Sequence, residues 1–386
     1  MNKISNLNIF IILITAILIR VMSIYFFGDS KIDNEWGIML NNLENYKILS
    51  IRSVEGVPVP NLFMPPLYPM FLYSIKLAIK NYDFFINTVL TIQLILSLVS
   101  IIFIFKILLQ IFAKKLSLIG TLIYAFFPLN IYAASQTSSV VLQMFLINIF
   151  IYSFIRIFKK NKLKNYILFS LASALLILLR GEFLVFVLIT LLYLFLKNKI
   201  LVKIFFSIIL IFLIISPYLY RNYEIFNKIT ITKSLGFNLL KGNNPNSSVE
   251  GFPLFNQEVK IAPEIKDEIL TLKNQIPLHQ YDLLIDKIFF KQAIKFIIDD
   301  PFNYLFLYGK KFMSFLLIDL NSTYNNYYSA FHIIPKLLIG IFTLIGIIFC
   351  SNLKLNIINY LSLFYISNVA LFSIFFILPR YSLFLL

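Results

Sequence analysis

Ile32-Asp33-Asn34-Glu35-Trp36 places two carboxylates two residues apart, just beyond the first long apolar run. Such a pair can supply a general base with a partner that orients it, and the same two groups could hold a divalent cation. The plain alternative is a solvated acidic loop, the commoner meaning of an isolated D-x-E. Two features set this loop apart. Trp36 is the only tryptophan in the chain, and the Pro-rich run Met64-Pro65-Pro66-Leu67-Tyr68-Pro69 opens the next apolar segment. Trp36 would serve equally well as an interfacial anchor.

Cationic groups come second. Arg180-Gly181-Glu182 separates two short apolar runs. An Arg at the tip of a helical hairpin can pair with an acid, a lipid phosphate or a phosphate leaving group; headgroup snorkelling accounts for it as well. Pro217-Tyr218-Leu219-Tyr220-Arg221-Asn222-Tyr223 ends another run in aromatics. An aromatic belt explains the tyrosines but not Arg221 with Asn222. Gly236-Phe237-Asn238-Leu239-Leu240-Lys241-Gly242-Asn243-Asn244-Pro245 suits a tight turn, and its amides suit sugar hydroxyls. Arg380, followed by Tyr381, closes the last apolar run, where it either snorkels or binds phosphate. Arg20 lies inside the first run, and a charge at that depth needs a partner, for which an outer-loop acid is the expected choice.

The composition dictates the scaffold that must position these groups. Of the 386 residues, 59% are hydrophobic and 13% charged, which excludes an ordinary soluble domain. Several charge-free runs approach the roughly 20 residues that a ~30 Å hydrocarbon core requires, and helices are the only way to pair their backbone in lipid. About nine spans are expected: 9–27, 84–105, 116–134, 140–157, 166–179, 183–196, 200–220, 333–350 and 355–378. The first is read as a retained anchor. One long tilted helix over 166–196 is the competing reading. It would put Arg180 at mid-bilayer and send Lys197, Lys199 and Lys203 to the side opposite Lys159, Lys160, Lys162 and Lys164, so two short helices are preferred. The segment from Met64 to Ile79 reads as an interfacial helix.

This arrangement sorts charge without adjustment. All 18 acids fall on one side, and the short Lys-rich loops fall on the other, as the positive-inside bias requires. The net charge of +16 therefore reflects topology and attraction to anionic lipid rather than a nucleic-acid partner. Cys350 stands alone, and His279 and His332 are too few and too far apart to suggest a metal centre. Three parts are expected: a membrane module over 1–220 with its first outer loop at 28–83, an outer, mostly helical region over 221–331, and closing spans over 332–386. In the middle part Ile285, Phe289, Ala293 and Phe296 make one apolar stripe, and Asp299-Asp300-Pro301 breaks the helix before it resumes at 302–317. Such helices are expected to rest on the membrane surface.

Taken in order, these motifs resemble the GT-C superfamily of membrane glycosyltransferases, in the branch similar to protein O-mannosyltransferases and the lipid A aminoarabinose transferase. The matching pieces are Asp33-Asn34-Glu35, Pro65-Pro66-Leu67-Tyr68-Pro69, Leu179-Arg180-Gly181-Glu182, Pro217 to Tyr223, Gly242 to Pro245, the helix broken at Asp300-Pro301, and Arg380-Tyr381. One departure is chemical: where the family often has an acid at the outer start of the fourth span, this chain has Ser135-Gln136-Thr137-Ser138-Ser139. The family also continues past its Arg-Tyr motif with further spans, so a shortened or minimal form is expected here.

The resemblance implies an all-α polytopic helical bundle of the GT-C type. It implies transfer of a sugar from a polyprenyl-phosphate carrier to an acceptor hydroxyl, with inversion at the anomeric carbon. Asp33 would be the general base and Glu35 its orienting partner. Arg180, Arg221 and Arg380, with Lys241 less favoured, would bind the donor phosphate, and Trp36, Tyr68, Glu182, Asn222, Asn243, Asn244 and Tyr381 would line the substrate. The acceptor would be a lipid, glycan or protein. The setting would be the bacterial cytoplasmic membrane, with membrane lipids as partners and the site facing the periplasm or exterior. A lipid-linked sugar flippase or secondary transporter is the rival; it calls for ionisable groups at mid-bilayer and inverted repeats, and the expected spans contain no acid. A non-catalytic membrane subunit is a third reading.

Overall fold

The computed structural model describes residues 3–54, 56–198, 201–251, 271, 277–321, 330–350, 356–378 and 380–382. The chain is mostly helical and divides into two compact units, one built mainly from Pro66–Pro217 with the chain up to Asn45, the other from Tyr46–Pro65 and Tyr218–Ser382.

The first unit contains α1 (Lys3–Phe27), α2 (Glu35–Tyr46), α3 (Leu67–Ala78), α4 (Tyr82–Leu108), α5 (Lys114–Phe126), α6 (Pro128–Ala133), α7 (Val140–Lys159), α8 (Leu163–Leu179) and α9 (Phe183–Asn198). Helix α7 packs on α4 and α8, with Phe150 against Phe169 at 5.0 Å between ring centres. Helix α3 turns Tyr68, Pro69, Leu72 and Ile75 inward against α4 and α8 and leaves Met70 and Leu77 exposed, the two-faced pattern expected of a surface helix. The chain breaks between α8 and α9 at Arg180–Glu182, so the two-helix reading holds.

The run expected as one span over 116–134 is instead two helices. Pro128 has no N–H to give the carbonyl of Tyr124, and Phe127 is extended with ψ 122°. The freed carbonyls find other donors: Asn130 Nδ2 reaches Tyr124 O at 3.1 Å, and Arg20 Nη1 reaches Ala125 O at 3.0 Å. Arg20, fully buried, also donates from Nε to Ser97 Oγ at 2.9 Å. The acid expected as its partner is therefore replaced by a hydroxyl and carbonyls, the latter supplied by a helix break 105 residues further along the chain.

Five helical stretches among the described residues are long and apolar enough to cross a membrane: Asn8–Phe27, Tyr82–Leu108, Val140–Lys159, Leu201–Phe226 and Ala330–Phe349. Helices α8 and α9 are apolar but shorter. Helix α10 (Leu201–Phe226) carries Pro217 internally.

In the second unit a small hairpin pairs β1 (Ser53–Val54) with β2 (Val57–Pro58). Helix α11 (Leu235–Gly242) packs on α12 (Leu278–Asp299) through Leu239, Leu240, Ile285, Phe289 and Ala293, with Phe296 partly buried beside them. The expected stripe is thus the buried face. A Cβ on Gly236 would lie 1.9 Å from the carbonyl oxygen of Asp286, so only glycine lets the two helices close this far. Asp300 ends α12 and caps α13 (Pro301–Leu316) by accepting from Asn303 N at 3.2 Å, with Pro301 in the first turn. Helix α13 packs on α15 (Asn356–Ser373), where Phe315 stacks on Phe372 at 5.9 Å; α14 (Ala330–Cys350) also contacts α15. The last expected span ends early: regular helix stops at Ser373 and the chain turns at Ile374–Phe375.

Candidate functional site

The acidic motif of the first unit sits where α2 begins. Asn34 accepts from Trp36 N at 3.0 Å through Oδ1, and its carbonyl accepts from Gly37 N at 3.0 Å, which starts the helix. Glu35 then occupies the first turn, where the helix dipole favours a negative charge. Asp33 stays outside the helix with its side chain 62% exposed, paired to Lys31 Nζ at 2.5 Å. The pairing raises the Lys31 pKa through the hydrogen bond to Asp33 and the charge of Asp33. Exposed pairs of this kind contribute little to stability, so the carboxylate is readily released to another partner. Lys31 takes the position a cation on Asp33 would occupy, and among the described residues no three His, Cys, Asp or Glu gather as metal ligands.

Behind the motif lies a buried chain of contacts. Trp36, turned inward by the helix, meets Tyr68 edge to face at 5.1 Å between centroids. The Tyr68 hydroxyl donates to Gln93 Oε1 at 3.0 Å, Gln93 Nε2 donates to Gln136 O at 2.7 Å, and Gln136 Nε2 donates to Phe27 O at 2.8 Å. Burial, with the charge of Asp29 adding to it, pushes the Tyr68 phenol well above its usual range and keeps it a donor.

At the α8–α9 tip, Arg180 Nε donates to Glu182 Oε1 at 2.6 Å and Nη1 donates to Gln143 Oε1 at 3.3 Å. Both partners leave the guanidinium partly exposed, at 21% of its side chain. The guanidinium fixes which end of the Gln143 amide faces it, and Gln143 Nε2 has no partner among the described residues.

The second unit gathers the remaining cations. Arg221 lies over Tyr218 and Phe226, at 5.9 and 5.5 Å, and donates to Asn222 Oδ1 at 2.8 Å; Asn222 is fully buried and donates to Thr230 O. Lys241 sits over Phe376 at 4.3 Å, and Ile377 N donates to Val249 O at 2.8 Å, so the Gly-Asn-Asn-Pro turn and the segment leading to Arg380 are brought together. Arg380 is exposed beside Tyr381, whose ring packs on Phe372 and Phe376. The amides expected to face a sugar are turned inward. Asn243 Nδ2 donates to Leu239 O and Ile374 O, and Asn244 Nδ2 donates to Leu240 O. They hold the turn, and Gly242 permits it, since a Cβ there would meet Phe375 O at 1.9 Å.

Six polar residues stand out beyond those read from sequence. Lys311 is fully buried and donates to Gly242 O at 2.7 Å and Asn243 Oδ1 at 3.2 Å; burial lowers its amine to about 7. Arg52 pairs with Asp282 at 2.8 Å, and one turn along α12 Asp286 accepts from Phe237 N at 3.1 Å. Burial raises the pKa of both acids, against the lowering effects of Arg52 on Asp282 and of backbone donors on Asp286. Asp29 accepts from both the backbone and hydroxyl of Thr137. The one sequence signal for these is the polar stretch 28–61, whose five acids include Asp29.

Compared with known proteins, residues 64–220 match the family described as dolichyl-phosphate-mannose-protein mannosyltransferase, in the GT-C superfamily. The match takes in Tyr68, Gln93, Gln136, Thr137, Gln143, Arg180 and Glu182. No curated protein matches the chain.

Proposed function

We propose that this chain, a membrane glycosyltransferase of the GT-C type by its residues 64–220, moves a sugar from a polyprenyl-phosphate carrier to an acceptor hydroxyl at the outer face of the membrane. Asp33 takes the acceptor's proton as its oxygen attacks the anomeric carbon. The bond to the carrier phosphate breaks as the new one forms, on the opposite face of the sugar, so the configuration inverts. Glu35 orients the base. Arg180, held by Glu182 and Gln143, offers fixed positive charge to the departing phosphate, and the free amide hydrogens of Gln143 add a neutral donor. Trp36 and Tyr68, buried behind the acidic motif, support the loop that carries Asp33.

The observation that carries the reading is the contact of Trp36 with Tyr68, which fixes the acidic loop on the first helix of the family-matched stretch. The scaffold we infer has nine spans, counting α5 with α6 as one broken crossing and α8 with α9 as a short pair. Its three parts are 1–220, 221–331 and 332–386, and it lies in a bacterial cytoplasmic membrane with the acids outside. The acceptor is a lipid, glycan or protein.

Membranes carrying the protein, supplied with radiolabelled dolichyl-phosphate-mannose and then with other polyprenyl-phosphate sugars, test the reaction. Label should leave the carrier lipid with wild type and stay on it with Asp33→Asn at equal expression. Equal turnover by the variant would remove Asp33 as the base.

A further inference from the structure

The residues leading into the acidic motif are tied to two neighbouring elements within the first unit. Asp29 Oδ2 accepts from Thr137 N at 2.6 Å and from Thr137 Oγ1 at 2.7 Å. Asp29 N donates to Ser135 O at 3.1 Å, and Gln136 Nε2 donates to Phe27 O at 2.8 Å. Nearer the motif, Ile32 N donates to Tyr82 Oη on the other wall at 3.1 Å. The turn at Ser135–Thr137 is itself fixed, because Gln93 Nε2 on α4 donates to Gln136 O. Asp33 therefore hangs on a short strap whose ends are bonded to α4 and to the turn before α7, while its own carboxylate remains exposed.

We propose that Asp29 and Thr137 form a latch that positions Asp33, and that Thr137 serves the reaction through this latch rather than by touching substrate. The inference rests on the reading of Asp33 as the base. It also gives a role to Ser135–Ser139, where the resembling family often carries an acid: here the carboxylate comes from the opposite strand of the contact, and the turn supplies its two donors. A carboxylate accepting two short hydrogen bonds from one residue is held in position and direction, and misplacing a reacting group by about 1 Å can lower a rate ~100-fold. Thr137 is 1% exposed, so the latch is shielded from competing water.

The initial rate of surface-glycan labelling, in a deletion strain carrying each variant and corrected for membrane expression, tests the latch without knowing the sugar. Asp29→Asn and Thr137→Val should each slow labelling ~10- to 100-fold, and Thr137→Ser, which keeps the hydroxyl, should stay within about threefold of wild type. Added to Asp33→Asn, Thr137→Val should lower the residual rate no further than about twofold, because its effect acts through Asp33. A Thr137→Val rate equal to wild type beside an inactive Asp33→Asn overturns the latch and leaves the base standing. A wild-type rate for Asp33→Asn overturns both. Equal losses from Thr137→Val with and without Asp33 show a general structural effect and also overturn the latch. Hydrogen–deuterium exchange of the full chain in lipid covers variants that express poorly. Asp29→Asn should speed exchange over 28–38 with other segments unchanged, and unchanged exchange there refutes the strap.

Discussion

Lys311→Met gives a stability change whose sign depends on pH. The Lys311 amine is fully buried, and its pKa falls from an ordinary 10.5 to about 7 because burial penalises the charged form. Between those values the unfolded chain holds a proton that the folded chain has released. Stability therefore rises with pH across that window, and the full penalty is present below pH 7. One proton corresponds to about 1.4 kcal/mol per pH unit, so ~2 kcal/mol separates pH 7 from pH 9, worth a few degrees of melting temperature. Methionine removes this dependence. It also strands Gly242 O and Asn243 Oδ1, which lose their bonds to Nζ at a cost of about 1–3 kcal/mol each. The wild-type melting temperature in detergent, measured from pH 6.5 to 9, should climb relative to the variant, and the variant should melt lower at pH 9, with the gap narrowing toward pH 6.5. Parallel curves would refute the buried amine and with it the account of how the Gly-Asn-Asn-Pro turn is held.

Other substitutions read different joints. Gly242→Ala forces a Cβ to within 1.9 Å of Phe375 O and should destabilise by about 1–3 kcal/mol or more, read as a drop in melting temperature. Tyr68→Phe keeps the ring against Trp36 but strands Gln93 Oε1, and should cost about 1–3 kcal/mol by the same measurement. Arg180→Lys keeps the charge but loses the fork that spans Glu182 and Gln143. Donor turnover should fall at least ~10-fold with expression unchanged.

The helices were legible because long apolar runs leave lipid-spanning backbone one solution, and the break at Arg180–Glu182 followed from charge that neither leaflet could place otherwise. The split at Pro128 was less legible, since a residue that makes it tolerable is remote: Arg20 looked like a charge awaiting an acid, whereas its partners include the Ser97 hydroxyl and the Ala125 carbonyl at the helix break. Side-chain direction was the main loss. Asn243 and Asn244 have the chemistry to meet a sugar, but their amides are used on backbone carbonyls. Lys310 and Lys311 are adjacent, and one residue of helix rotation leaves the first exposed and seals the second. Asp29 and Thr137 carry no joint signature because 108 residues separate them.

Placement of the acidic loop and the arginines in one compartment is the claim on which the proposed chemistry depends. Single cysteines at Asp33, Arg180, Arg221 and Arg380, in a chain whose Cys350 is replaced by serine, should all react with a membrane-impermeant maleimide added to intact cells. A cysteine at Lys160 should react only after the cells are opened. Labelling of 33 and 221 from opposite sides of the membrane would contradict the account.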